Sequence, residues 1–365
     1  MSESPTAEKT ESSDVLFLPD WRDGNPYQDL LACGIRATGL KVDFVDYPTG
    51  EMALWKAAKA HRGIRVLHLH WINPLLPRIF WSGSPFKARI RMWIVALNVL
   101  LIRLRGVRVV WTVHNRLSHE SPDPERELAA RRCLARASSK LIFHSESARA
   151  AVEEALGMEL RQKSEVIPHG NYVGVYRENK QREEELAREL GVRPGDRVLL
   201  FFGAIRRYKG IVTLIEGVRS IADDSVKLII AGRPFEPDLE ADIRAAARAD
   251  PRIIPYLGFI SENDVHPLYS LAHLAVVPFE RTLTSGSAIL ALSMGKALLL
   301  PEEARVIGLP DFSGTAFFQG KEGLSQVLSA LDRGTLERMG QHNRLLAEKL
   351  NWDDIGFAVA RVYGL

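Results

Sequence analysis

From Val15 onward the chain alternates short apolar runs with longer segments in which apolar residues return every third or fourth position. The short runs, bounded by turn residues, read as buried strands; the longer segments read as amphipathic helices. Val15–Pro19 is the first such strand. After the break at Gly24-Asn25-Pro26, Tyr27 opens a helix with Leu30, Leu31 and Ile35 on one face. Lys41–Val45 reads as a strand, Met52–His61 as a helix, and Val66–Ile72 as a strand on which His68 and His70 share a face. A helical stretch follows over about residues 80–106. Val107–Val113 is a strand ending in His114-Asn115, and a polar loop leads to a helix from about Arg126. Lys140–His144 is a strand, Ser147–Leu156 a helix, and Glu165–Pro168 a strand ending in His169-Gly170-Asn171-Tyr172.

Arg177–Asp196 is charged, with a Glu-rich helix, and reads as a linker. The alternation then restarts. Val198–Phe202 is a strand, Gly203–Gly210 a loop, and Ile211 opens a helix. The strands Val226–Ala231 and Ile253–Leu257 flank a helix at Leu239–Ala249. A helix at Asn263–Ser270 precedes the strand Leu274–Val277. Ser285-Gly286-Ser287 then opens a helix over Ala288–Met294, with Gly295 and a buried strand behind it, and a last helix covers about Asp353–Tyr363. Such a rhythm means parallel sheets with helices on both faces, and ligands bind at the carboxyl ends of such strands. In the first half those ends carry Asp20, Asp23, Asn25, His70, His114, Asn115, His119, Glu120, His169 and Asn171.

The length of 365 residues fits two domains, and 46% hydrophobic with 25% charged residues is the balance of a soluble globular protein. The two cysteines, Cys33 and Cys133, exclude a disulfide framework and fit a reducing compartment. No Cys/His cluster has zinc spacing and no acidic metal motif occurs, so no metal is expected. Residues 1–14 are polar and acidic, unlike a signal peptide, and read as a disordered tail. The longest apolar run, Met92–Ile102, is too short to span a bilayer.

Charge alters the picture in one place. From Met52 to His119 there is no acidic residue, while twelve Lys and Arg occur. Within this window, residues 80–108 are basic and aromatic at the start, apolar in the middle and basic again at the end. That is the profile of a helix lying on an anionic membrane, with Trp81, Phe86 and Trp93 at headgroup depth; a buried amphipathic helix with a solvated basic face gives the same pattern. No nucleic-acid-binding motif accompanies the charge.

Two loops of the second half suit anions. Gly203–Gly210 follows a strand, opens a helix and offers Arg206, Arg207 and Lys209. Ser285-Gly286-Ser287 presents small residues at a helix N-terminus. An ordinary N-cap or a solvated basic loop explains either one alone; together, at strand carboxyl ends of one domain, they point to a diphosphate.

The runs FFGAIRRYKG, LGFISENDVHPLYSLAHLAVVPF and SGSAILALSMGKALLLP resemble the nucleotide-sugar half of the GT-B glycosyltransferases. Seven shorter motifs resemble the xanthan-type bacterial β-mannosyltransferases: Asn25-Pro26-Tyr27, VLHLHW (66–71), TVHNRLSHE (112–120), PHGNY (168–172), IRRYKG (205–210), SGSAILALS (285–293) and NWDDIG (351–356). The resemblance covers nearly the whole chain from residue 15. It implies an α/β GT-B fold: two Rossmann-like domains facing across a cleft, with the C-terminal helix crossing back to the first. The expected division is a membrane-associated, acceptor-binding domain at 15–178, a nucleotide-sugar domain at 179–350, and a crossover helix at 351–365.

One departure bears on mechanism. The large retaining family of this fold carries two acidic residues eight apart after the Pro of the corresponding strand. Counted from Pro278, those positions hold Thr282 and Leu290, which favours inversion; Glu280 sits two residues early and is expected at most to touch the donor sugar. Inversion needs a base for the acceptor hydroxyl and stabilisation of the leaving diphosphate. The expected base is Glu120 or His119, then Asp20 or Asp23. Donor contacts are expected from Gly203, Arg206, Lys209, Glu280 and 285–287, with the nucleotide base against Gly232, Arg233, Phe259 and Ile260. Asn25, Tyr27, His70, His114, Asn115, His169 and Asn171 are expected on the cleft or acceptor side, His169 and Asn171 near the domain interface. His68 reads as a core histidine.

The resulting expectation is a metal-independent hexosyltransferase, without cofactor, moving mannose from GDP-mannose to a lipid-linked oligosaccharide in exopolysaccharide assembly. It would sit in the cytoplasm on the inner face of the plasma membrane. A UDP-sugar-dependent enzyme of the same fold, or a non-catalytic nucleotide-sugar-binding or membrane scaffold protein, stays open.

Overall fold

The computed structural model describes residues 13–76, 84–118, 121–279 and 282–365. The chain divides into two compact units: one runs up to Ile167 and resumes at Trp352–Leu365, the other is Pro168–Asn351. Among the described residues each unit holds one parallel sheet of six strands.

In the first unit the strands are β1 (Val15–Leu18), β2 (Val42–Phe44), β3 (Val66–Leu69), β4 (Arg108–Thr112), β5 (Lys140–Phe143) and β6 (Ser164–Val166). Their order is β2-β1-β3-β4-β5-β6, so the chain winds one way from β1 to β2 and then reverses. Its helices are α1 (Tyr27–Arg36), α2 (Ala53–Ala60), α3 (Pro85–Leu104), α4 (Pro124–Ala137) and α5 (Glu146–Leu156). The apolar runs stand as strands because they are covered on both faces: all four residues of β1 are fully buried, as are Val66, Leu67, Val109 and Val110. Helix starts follow local chemistry. The Asp123 carboxylate accepts the Arg126 N–H at α4, and the Ser145 hydroxyl accepts the Ala148 N–H at α5.

The second unit begins at Pro168, eleven residues ahead of the expected start at 179. Its strands are β7 (Arg197–Phe202), β8 (Val226–Gly232), β9 (Ile253–Leu257), β10 (Leu274–Val276), β11 (Ala297–Pro301) and β12 (Thr315–Phe318), in the order β12-β11-β10-β7-β8-β9. The helices are α6 (Lys180–Glu189), α7 (Ile211–Arg219), α8 (Pro237–Ala249), α9 (Glu262–Leu271), α10 (Gly286–Ser293), α11 (Gly320–Ala330) and α12 (Arg333–Glu348). The stretch read as a linker is therefore α6, an integral helix. Its Leu186 is fully buried, and Arg182 donates to Asp264 on α9 at 2.6 Å. Its charges lie on the other faces, which made it look like a tether. Residues 302–350, where the apolar pattern assigned nothing, supply β12, α11 and α12. β12 is an edge strand with three of its four residues only half-buried, so its apolar signal is weak.

The last helix, α13 (Trp352–Tyr363), returns to the first unit and packs on α1. The two meet at Gly34 and Gly356, where a Cβ on either would overlap the backbone of the other helix. Tyr363, at the far end of α13, is fully buried, and its hydroxyl meets His68 Nδ1 at 2.8 Å.

Candidate active site

In the first unit the strand ends bring a cluster of rings together. His70 leaves β3, His114 follows β4, His144 follows β5, and Tyr27 opens α1. The Tyr27 ring lies 5.8 Å from His70, 5.3 Å from His114 and 6.0 Å from His144. His70 Nδ1 is 3.3 Å from His114 Nε2, and Trp71 stacks on His114 at 4.5 Å and 14°. Behind them His68 sits between the Tyr363 hydroxyl and Thr112 Oγ1, both at 2.8 Å. Burial drives the histidines toward neutrality. His68 is lowered to about 3, first by lost hydration and then by His144; His144 is lowered to about 4 by burial. His70 lies well below the usual imidazole range, again by burial first and then by its histidine neighbours.

The polar loop after β1 is tightly held. Arg22 donates twice to Asp20 at 2.8 Å, and this pairing lowers the Asp20 pKa. An ionised carboxylate already committed to a guanidinium is a weak proton acceptor, which counts against Asp20 as the base. Asn25 accepts the Tyr27 N–H at 3.1 Å and so shapes the entry to α1. His119 and Glu120 lie outside the described residues. The chain leading to them is fixed by a fully buried pair on α4: Glu127 accepts from Ser118 N at 2.8 Å, and Arg131 donates to Glu127 and to the Asn115 carbonyl at 2.9 Å. Glu127 stands four residues before Arg131 on a predicted helix, which is the sequence signal for this pair.

His169 and Asn171, expected near the boundary of the two domains, fall just inside the second unit, which starts at Pro168. Asn171 Nδ2 donates to the Ala347 carbonyl at 2.8 Å, and the Ser293 hydroxyl accepts the Tyr172 N–H at 2.8 Å. These bonds tie the segment after β6 to α12 and to the end of α10. The Tyr172 hydroxyl thereby lies at the start of α10, 3.4 Å from where a Gly286 Cβ would stand.

The two anion-suited loops of the second unit adjoin. Gly203, at φ +120°, ends β7, and Ser287 Oγ donates to the Phe202 carbonyl at 3.3 Å. Gly210, at φ +71°, opens α7, and a Cβ there would come within 2.5 Å of the Pro278 carbonyl, so the loop over 203–210 lies directly on the strand end that leads to α10. Ser285 caps α10 by accepting the Ala288 N–H at 3.2 Å, while the first-turn N–H groups of Gly286 and Ser287 have no partner within the helix. Lys209 lies 5.0 Å from the Phe279 ring centroid, and burial, with Arg206 adding to it, lowers its pKa to about 8. Arg206 lies over the Phe235 ring at 4.1 Å, and Arg233 lies near the same ring at 5.7 Å. Arg207 is engaged elsewhere, with Asp238 at 2.6 Å. Gly232 ends β8 where a Cβ would overlap the Gly203 carbonyl, so the two strand ends touch at glycines. Phe259 stands exposed beyond β9, with Ile260 half-buried beside it. Glu280 lies outside the described residues. Thr282 donates to the Thr284 carbonyl, and Leu290 is buried in α10. Among the described residues no group of three or more His, Cys, Asp and Glu side chains converges as a metal site needs.

Comparison with known proteins bears on the fold and on the second half of the chain. Residues 196–306 match the family model described as glycosyl transferases group 1. A GDP-mannose:glycolipid 4-beta-D-mannosyltransferase of Xanthomonas campestris pv. campestris is 29% identical over 301 residues, covering 82% of this chain and 79% of that protein. A lipopolysaccharide 1,2-N-acetylglucosaminetransferase of Salmonella typhimurium is 22% identical over 268 residues, covering 68% of this chain and 65% of that one. Among solved structures, Anabaena HepE in complex with UDP and glucose superposes with a TM-score of 0.74 at 14% identity, over 96% of this chain and 99% of that one. The sucrose-phosphate synthase of Thermosynechococcus elongatus gives 0.73 at 15% identity, over 96% and 98%. The chain thus has the GT-B fold of the glycosyltransferase structures it superposes on, matches group 1 glycosyl transferases over 196–306, and resembles a GDP-mannose:glycolipid 4-beta-D-mannosyltransferase over most of its length.

Proposed function

We propose that the protein transfers mannose from GDP-mannose, with inversion, to a hydroxyl of a lipid-linked saccharide. The observation that carries the donor half is the junction of the two loops at the carboxyl ends of β7 and β10. Arg206 and Lys209 on one loop and the α10 N-terminus on the other are together suited to a diphosphate. In this reading Arg206 forks onto phosphate oxygens, Lys209 supplies a point charge, and both strengthen as the diphosphate leaves. The nucleotide base lies toward Gly232, Arg233, Phe259 and Ile260. Inversion is supported by Thr282 and Leu290 at the positions where the retaining enzymes carry acids. The base is then a first-unit group, Glu120 or His119, with Asp23 behind them.

A thermal-shift screen of GDP, UDP, ADP and their hexose conjugates tests the donor. A ligand that binds only the folded protein raises Tm by mass action. GDP and GDP-mannose should raise it, and UDP should not; the reverse moves the donor to a UDP-sugar. No shift with any nucleotide favours a non-catalytic scaffold.

The acceptor half rests on α3. Phe86, Ile90, Trp93, Leu97, Leu100 and Leu104 recur alternately every fourth and third residue and are all exposed, with Phe86 and Trp93 more than 70% accessible. Leaving each such side chain in water forgoes about 1.5–3 kcal/mol, so an unbroken stripe of six marks a surface for something apolar. Lys87 and Arg89 lie beside it. On the opposite face Asn98, which interrupts the apolar run, is fully buried and accepts the Trp55 N–H at 3.0 Å. No helix among the described residues is long and apolar enough to cross a membrane. An amphipathic helix lying in the interface of an anionic bilayer fits these facts. Trp81, the third aromatic expected there, lies outside the described residues. Arg91 already bonds Glu51 at 3.2 Å, so the clean variant is Lys87→Glu/Arg89→Glu with Trp93→Ser. It should stay in the supernatant when spun with phosphatidylglycerol vesicles that sediment the native protein. Equal sedimentation of both would end the interfacial reading.

A further inference from the structure

The loop after β1 holds an aromatic surface that the donor site does not use. Trp21 stands there with 38% of its surface accessible, and its ring stacks on Trp71 at 5.0 Å and 25°. Trp71 stacks in turn on His114, and His114 meets His70, so a column of rings runs from the surface to the buried cluster at the carboxyl ends of β3 and β4. Nothing in this column is loose. The Trp21 backbone N–H donates to Gln28 Oε1 at 2.8 Å, and the Gln28 side chain, fully buried, donates to the Pro19 carbonyl at 2.8 Å. The next residue, Arg22, is clamped between Asp20 and the Phe44 ring, 4.0 Å away. The Tyr47 hydroxyl donates to the Trp71 carbonyl at 3.2 Å.

An indole held this firmly yet left open is preorganised for a flat apolar partner with polar edges. A pyranose is such a partner: one face presents C–H groups to the ring, and its hydroxyls point outward. The Asp20 carboxylate keeps a lone pair beyond the three that Arg22 uses, and Asp23 lies two residues beyond Trp21. A purine would also stack, but nucleotide binding is carried by the charged loops of the second unit, and the loop over 19–26 has only Arg22, already paired, to meet a phosphate.

We propose that Trp21, backed by Trp71, is the platform on which a pyranose ring of the acceptor saccharide stacks. This rests on the reading of the protein as a transferase to a lipid-linked saccharide. Acceptor and donor both carry a pyranose, and the test separates them.

The probe is n-octyl β-D-glucopyranoside below its critical micelle concentration, read by saturation-transfer NMR on the full-length protein. GDP-mannose is examined in parallel, and GDP-induced stabilisation reports folding and the donor site. In the native protein the glucose ring protons should be saturated. Trp21→Ala should weaken that ring signal roughly three- to tenfold, the range of one aromatic contact. Trp21→Phe should restore part of it. Octyl-chain signals, the mannose signals of GDP-mannose and the GDP-induced Tm shift should be the same in all three proteins. Absence of a ring signal from the native protein, or a ring signal untouched by Trp21→Ala, overturns the platform. Loss of the mannose signals instead assigns Trp21 to the donor and overturns it too. A missing GDP shift in the native protein, by contrast, defeats the donor assignment and leaves the ring measurement to stand separately.

Discussion

Replacing Lys209 with alanine should lower kcat/KM for GDP-mannose by about 10²–10³, the usual cost of removing one preorganised group that stabilises developing charge. Arg206→Ala should do the same, and each should weaken GDP itself by about 1–3 kcal/mol. The argument is local. Lys209 is half-buried beside the Phe279 ring, and lost hydration, with Arg206 adding to it, brings its pKa to about 8. A cation kept so far from water gains by meeting an anion. Binding a diphosphate favours the charged ammonium and raises that pKa, so GDP binding takes up a proton as pH rises past about 8. Affinity should therefore fall above that pH, and Lys209→Ala should abolish that part of the decline. Arg206→Lys separates fork from charge: if the guanidinium is bidentate, lysine rescues little. Isothermal titration across pH checks all of this. GDP affinity indifferent to both substitutions would remove the phosphate assignment and, with it, the main support for the donor half.

The second large effect lies away from the chemistry. Gly34→Ala and Gly356→Ala should each lower Tm by roughly 6–12 °C, from about 3 kcal/mol of overpacking in a unit of this size. Two effects oppose here. Alanine gains about 1 kcal/mol over glycine by helix propensity, so in an exposed helix either change would stabilise. At this crossing the added Cβ would overlap backbone atoms of the other helix, Trp352 and Gly356 for Gly34, and Gly34 for Gly356. Backbone does not yield as a side chain does, so the helices must separate. Separation frees Ile355, Val359 and Tyr363 from the core they share with Leu31 and Ile35, and takes the Tyr363 hydroxyl from His68. The clash term wins. A raised Tm in either variant would show that the helices have room to part.

Much of the architecture was legible because parallel strands buried on both faces write themselves as unbroken apolar runs, as VLFL and VLHL do. The loop over Gly203–Gly210 and the helix start at Ser285–Ser287 were legible as local structure because turn and cap chemistry is local; what they bind belongs to the proposal above. What escaped notice depended on distant packing. α6 reads as a tether by charge count, and only its single buried Leu186 with the Arg182–Asp264 bond makes it part of the second unit. Asn171 and Tyr172 were read with the strand before them, whereas their partners, Ala347 and Ser293, lie more than a hundred residues on. Trp71 and His144 occupy strand ends as clearly as His70 does. Their membership of the ring cluster follows from the β2-β1-β3-β4-β5-β6 order, which periodicity does not encode.

The return of α13 to the first unit separates the order of synthesis from the order of completion. Pro168–Asn351 leaves the ribosome as one unbroken stretch, with every strand of its own sheet present. The first unit's sheet is made earlier, but the slot beside His68 and the face of α1 around Gly34 stay uncovered until Trp352–Tyr363 emerges. The part begun first is thus closed last, and the apolar surface of α1 is open to water throughout the making of the other unit.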